Sequence, residues 1–138
     1  MARSYTQIAV GEELPPVSRL MTQETINRYA DVSGDHNPIH VDPEFAKNTM
    51  FGGTIAHGII SLSFVFQALT DWLGRADLDR SKLRITFVNP VRPGDTVTAK
   101  GTVAAKNEVE GRKLATCELW IENQRQERCI VVEAEVAF

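Results

Sequence analysis

The sequence predicts an α+β domain in which a largely antiparallel sheet curls around one long apolar helix. Three observations lead there. The 138 residues fit one domain, with an ordinary globular composition of 43% hydrophobic and 24% charged residues. Helix signals occupy the front of the chain, and period-2 alternation occupies the back. Between them lies Gly58–Leu73, apolar on nearly every face, and a helix of that kind needs cover on most sides. A one-sided sheet and such a helix share a single packing solution, with the helix as the core.

Each element has its own signal. Thr22 is placed to cap a helix running through Ala30, with Glu24 in the first turn where the helix dipole favours an acid. Ile26, Tyr29 and Ala30 fall at i, i+3 and i+4 on one face, and Ser33-Gly34-Asp35 reads as the stop. Pro43, placed for a first helical position, opens a short helix over residues 44–48 before the Gly52-Gly53 break. The long helix spans residues 57–73 and stops at Gly74. After Arg80 the period changes to two. Leu83, Ile85 and Phe87 alternate with Arg84, Thr86 and Val88, and Val97, Ala99, Gly101 and Val103 with Thr98, Lys100 and Thr102. Ala115, Cys117, Leu119 and Ile121 form a third set, and Val132, Ala134 and Val136 a fourth. Strands with one polar face belong to an antiparallel sheet covered on one side, and residues 90–94 and 109–112 supply turns.

Composition excludes several classes of function. With 15 Lys+Arg against 18 Asp+Glu the net charge is −3, so no basic field recommends a nucleic-acid partner. Cys117 and Cys129 are too few for a disulfide framework and lack metal-ligand spacing. They read as small buried hydrophobes of a reducing compartment. Residues 1–16 hold no continuous apolar run of the kind a secretory signal needs. Gln67 and Asp71 interrupt the apolar helix, which is also shorter than the ~20 residues of a membrane span. The expectation is a cytoplasmic protein without membrane partners.

Chemistry is expected where polar residues interrupt this plan. Asp35-His36-Asn37-Pro38-Ile39-His40 holds two of the three histidines, and the third, His57, precedes Gly58 at the start of the long helix. His36 and His40 have the i, i+4 spacing of a zinc pair, but Pro38 between them would disrupt the helix which that spacing requires. No metal is expected. Ser33 and Ser61 lack the context of a nucleophile elbow, and no Walker pattern follows Gly52-Gly53. Two readings stay open. Asp35 and His40, separated by a tight Asn-Pro turn, can point into one cavity, share a water and exchange protons near neutral pH. Alternatively, Asp35 makes an Asx turn, Pro38 fixes the loop and His40 is a hydrogen-bonded core residue; on pattern alone this second reading stands ahead. Gly58 divides the same way. It can open a helix N-terminus to an anionic oxygen, or merely allow helix and sheet to pack closely.

Taken together, these residues resemble the MaoC-like dehydratase family, and within it the (R)-specific enoyl-CoA hydratases. The resemblance is carried by Tyr29-Ala-Asp-Val-Ser-Gly-Asp-His-Asn-Pro-Ile-His-Val-Asp-Pro-Glu-Phe-Ala and by Phe51-Gly-Gly-Thr-Ile-Ala-His-Gly downstream. More loosely it runs from Gly11-Glu-Glu-Leu to the end of the chain. It implies the hot-dog fold, an antiparallel sheet wrapped around a long central helix, for a single domain over residues 1–138. It implies Asp35 and His40 as the catalytic pair, Asn37 as their support, and the Gly58 backbone N–H as a ligand of the thioester oxygen. The implied reaction is hydration of a trans-2-enoyl-CoA to the (3R)-hydroxyacyl thioester, or its reverse, with no cofactor. The implied partners are an acyl-CoA or acyl-ACP thioester and a second subunit, as a homodimer, a higher oligomer or a heterodimer. His57 is expected to hydrogen-bond nearby backbone or loop and to be structural. Phe64 and Phe66 are expected in the core, and Arg84 and Arg92 outside the site. The rivals are a thioesterase on the same fold, disfavoured because the central helix has no acid before Asp71, and a subunit of a heteromeric hydratase or acyl-ACP dehydratase.

Overall fold

The alternation after Arg80 becomes four of the five strands of one antiparallel sheet. The computed structural model describes residues 1–138. After a short 3₁₀ turn at Tyr5–Gln7 come β1 (Val17–Leu20), α1 (Gln23–Ser33), α2 (Pro38–Val41), α3 (Pro43–Ala46) and α4 (Gly58–Leu73). Then follow β2 (Lys82–Phe87), β3 (Thr96–Val109), β4 (Arg112–Glu122) and β5 (Arg128–Ala137). The strand order is β1-β3-β4-β5-β2, and every neighbouring pair is antiparallel. This is the hot-dog arrangement.

The strands that alternate in sequence also alternate in burial. Val97, Ala99, Gly101 and Val103 of β3, and Cys117, Leu119 and Ile121 of β4, all face inward and are buried. β3 and β4 join through Glu110 and Gly111, both at positive φ (51° and 77°), the backbone of a tight hairpin turn. A register shift between Val103 and Ala105 inserts one residue into β3. That bulge reverses the in–out parity, which is why the sequence alternation stops at Val103 although the strand runs on to Val109. β1 was not anticipated: it has four residues, only Val17 is buried, and its signal is too short to stand out. It pairs with β3 through Val17↔Ala99 and makes one edge of the sheet.

α4 lies on the inner face of that sheet. Val65, Ala68, Leu69, Trp72 and Leu73 join the inward residues of β3, β4 and β5 in one cluster of 26 buried residues. Burial of each large side chain contributes roughly 1.5–3 kcal/mol, so this cluster dominates the stability. Cover on most faces, however, is not provided by the single chain. Ile59 is 52% exposed and Phe66 39%, both on the side of α4 away from the core. Cys117 and Cys129 are buried free thiols, and burial pushes Cys117 up to about 12.

The front elements are short and locally capped. Thr22 accepts the Thr25 N–H at 3.1 Å, and α1 buries Ile26 and Ala30 before ending at Gly34, a turn later than Ala30. Asp42 accepts the N–H groups of Glu44 and Phe45, so α3 starts at Pro43 and closes at Ala46, short of the expected residue 48.

Candidate active site

Pro38 does not break a helix; it begins one. Asn37 Oδ1 accepts the Ile39 N–H at 3.0 Å, and Pro38 occupies the first helical position, where no N–H is needed. The result is the single turn α2, which carries His40. Asn37 therefore caps the turn that holds His40. His36 lies outside that turn. Its Nε2 is 3.0 Å from Asp31 Oδ1, both groups are exposed, and the hydrogen bond to Asp31 raises the His36 pKa. The His36/His40 pair that spacing suggested for a metal is not brought together.

The Asx turn and the acid–base pair prove compatible. Asp35 Oδ1 accepts the Asn37 N–H at 3.2 Å, as the bland reading required. Even so, Asp35 sits with His40 and His57, and one potential ligand atom from each lies within 4.8 Å of the others. Two hydrogen bonds of about 2.8 Å from one water span about that distance.

The tautomers follow from what each ring nitrogen touches. His40 Nδ1 is 2.7 Å from the Ile55 carbonyl oxygen, which only accepts, so Nδ1 carries the proton and Nε2 a lone pair. His57 Nε2 is 2.9 Å from the Asp35 carbonyl oxygen, so Nε2 carries its proton. His57 Nδ1 is buried without a partner. The two rings stack at 3.9 Å, and Tyr29 meets His57 edge-on at 4.7 Å. In donor type Asp35, His40 and His57 can hold a water, and they would equally accept a divalent cation.

Beside this cluster opens the N-terminus of α4. The N–H groups of Gly58 and Ile59 find no acceptor in the chain. Gly58 lines a cleft of about 340 Å³ whose walls also include His40, His57, Ser61, Phe87 and Ile130. A methyl group on Gly58 would lie 2.4 Å from Phe87 Cε1, so glycine is what lets this ring lie against the helix terminus. Gly58 thus permits close packing at a helix end whose N–H has no acceptor in the chain. Asp35 is exposed and stands beside the cleft wall, not in it.

Several other placements differ from, or add to, the sequence reading. Ser61 Oγ is buried and unpartnered on the cleft wall, and Phe87, read from sequence only as a strand residue, closes the wall opposite it. The usable signal for Phe87 was its parity with Leu83 and Ile85 at the end of β2. Phe64 packs partly buried against the core, whereas Phe66 is partly exposed. Arg92 hydrogen-bonds the Phe51 carbonyl, and neither Arg92 nor Arg84 lines the cleft.

Comparison with known proteins agrees with this geometry. Residues 6–124 match the family model described as MaoC like domain. The 3-hydroxyacyl-thioester dehydratase Z of Mycobacterium tuberculosis is 34% identical over 116 residues, covering 70% of this chain and 77% of the relative. The (R)-specific enoyl-CoA hydratase of Rhodospirillum rubrum is 36% identical over 87 residues, 63% of this chain and 60% of that one. Among solved structures, the (R)-hydratase from A. caviae involved in PHA biosynthesis superposes with a TM-score of 0.80 at 30% identity, over 94% of this chain and 96% of that chain.

Proposed function

This chain belongs to the MaoC-like dehydratase family of hydro-lyases, and from that premise we propose that it hydrates trans-2-enoyl-CoA thioesters to (3R)-hydroxyacyl-CoA and catalyses the reverse dehydration. One observation carries the reading. Asp35 and His40 each bring a potential ligand atom within 4.8 Å of the other, beside a helix terminus with unused N–H groups.

In this mechanism a water sits between Asp35 and His40. His40 Nε2 takes its proton as the hydroxyl adds to C3, and the electron pair of the double bond moves toward the thioester carbonyl. Negative charge grows on that oxygen. The Gly58 N–H, backed by the dipole of α4, stabilises it without reorganisation, which is where fixed donors outperform bulk water. The proton then returns to C2 through the Asp35/His40 pair, so that one water supplies both the hydroxyl and the hydrogen. Asn37 holds the turn beneath His40. Each proton transfer by a placed group is worth about 10²–10⁴-fold.

The exposed side of α4, the free edge of β2 and the exposure of Asp35 support a homodimer whose second subunit covers the site. Two structural neighbours are heteromeric: the ChsH1-ChsH2 complex and the HadBC complex of Mycobacterium tuberculosis. They share the fold, at 21% and 16% identity. The chain purified alone is therefore the form to assay. A panel of trans-2-enoyl-CoAs of increasing length should lose the absorbance of the conjugated thioester and yield the 3R product. Thiol release without 3-hydroxyacyl product would instead make the chain a thioesterase. Against that outcome stands α4, whose single acid, Asp71, lies in its last turns, far from Gly58.

A further inference from the structure

We propose that His57 is the positioning residue of this site: one imidazole that fixes the Asp35 loop and the His40 ring relative to the N-terminus of α4. The proposal rests on the hydratase reading above, and its test includes a measurement that does not.

Three contacts converge on this side chain. Nε2–H donates to the carbonyl oxygen of Asp35, immediately before the Asx turn that sets the Asp35 carboxylate. The ring face stacks on His40 with 26° between the planes. The backbone of His57 is the N-cap of α4, one residue before the Gly58 N–H. The loop and turn that carry Asp35 and His40 and the helix end that carries the Gly58 N–H are distant in sequence, and His57 touches or adjoins all three groups.

A packing role alone does not account for this residue. His57 is only 3% exposed, and its Nδ1 has no partner. A phenylalanine would fill the same space without stranding a buried polar atom, a loss that such sites normally avoid. The compensating gain is the hydrogen bond to Asp35, which an apolar ring cannot make.

Three variants separate the contributions. His57→Phe keeps the ring and loses the donor, His57→Gln keeps a donor and loses the ring, and His57→Ala loses both. In His57→Ala, kcat should fall about 100-fold, the penalty for a misplacement near 1 Å. KM should stay within about threefold, because binding by the helix terminus is retained. Gln and Phe should each recover part of the loss. The independent readout is the substrate-free spectrum of ¹⁵N-labelled histidine. Wild type should show His40 as a single Nδ1–H tautomer, and His57→Ala a mixture. An unchanged kcat in folded His57→Ala, a change confined to KM, or an unmoved His40 signal would each overturn the proposal. If His57→Ala fails to fold, wild-type kcat in both remaining variants overturns it. Should wild type hydrate no enoyl-CoA while the His40 signal still shifts, the hydratase reading falls and the positioning role stands.

Discussion

The segment from α1 to the start of α4 and the sheet from β2 to β5 are built on opposite principles. The first holds α1 and two four-residue helices, each with a side-chain cap, from Thr22, Asn37 and Asp42 in turn. It contributes few large side chains to the core, Ile26 foremost. The second holds long paired strands whose inward residues make most of the buried cluster. A cap contributes about 1 kcal/mol, and a buried aliphatic side chain roughly 1.5–3 kcal/mol. Stability therefore resides in the sheet and the inner face of α4, and the polar cluster of the proposed site in the capped segment. A scaffold with a large margin can hold polar residues such as Asp35 and His57 in arrangements that do little for folding.

That division is open to direct attack. Asp35→Asn and His40→Ala should each lower kcat by about 10²–10⁴-fold while thermal unfolding shifts little, because neither side chain belongs to the buried cluster. Near-normal turnover in both would remove the catalytic assignment. Leu119→Ala should do the reverse. It empties a buried position under α4 and should cost about 2–5 kcal/mol in denaturant unfolding, with kcat per folded molecule unchanged. A comparable loss of kcat would show that sheet and site are not separable.

Gly58→Ala tests the boundary between the two regions. The added methyl meets the Phe87 ring, which is 55% exposed and free to give way, so the stability loss should be only about 1 kcal/mol. The displaced ring and the methyl both intrude on the cleft, and kcat/KM should fall about tenfold or more. Unaltered kinetics would mean that substrate does not approach this helix end. His36→Ala is the smallest change: activity should stay within about twofold, since His36 faces Asp31 on the surface. In an NMR titration His36 should protonate above its ordinary 6.5, because the Asp31 hydrogen bond raises its pKa, and Asp31→Asn should return it. A raised folded-state pKa places any stabilisation below the unfolded value and removes it as pH climbs through the folded one.

Much of this was legible from local pattern. The Thr22 cap, the apolar run of α4 and the alternation of β2 to β5 are signals contained within each element. The nearness of Asp35 and His40 is likewise local, since a single Asx turn and one helical turn span it, but pattern alone favoured a structural role and only the family resemblance read the two as a pair. What escaped reading was of two kinds. β1 and α2 are too short for a period to register, and the β3 bulge erased the period where it continued. The other kind depends on segments distant in sequence. His57 lies 22 residues from the carbonyl it binds, and Phe87 reaches Gly58 from another element altogether.

The sequence by itself determined the fold class, the helix that forms the core and the turn that brings Asp35 near His40, because hydrophobic period and turn chemistry act over a few neighbouring residues. Only the tertiary structure decided that His36 turns to Asp31, that Pro38 starts a turn, and that His57 binds the Asp35 carbonyl and stacks on His40. It also left one side of α4 uncovered. Those outcomes depend on which distant surfaces meet once the sheet closes over the helix, and stacking, burial and an orphaned nitrogen arise only at such meetings.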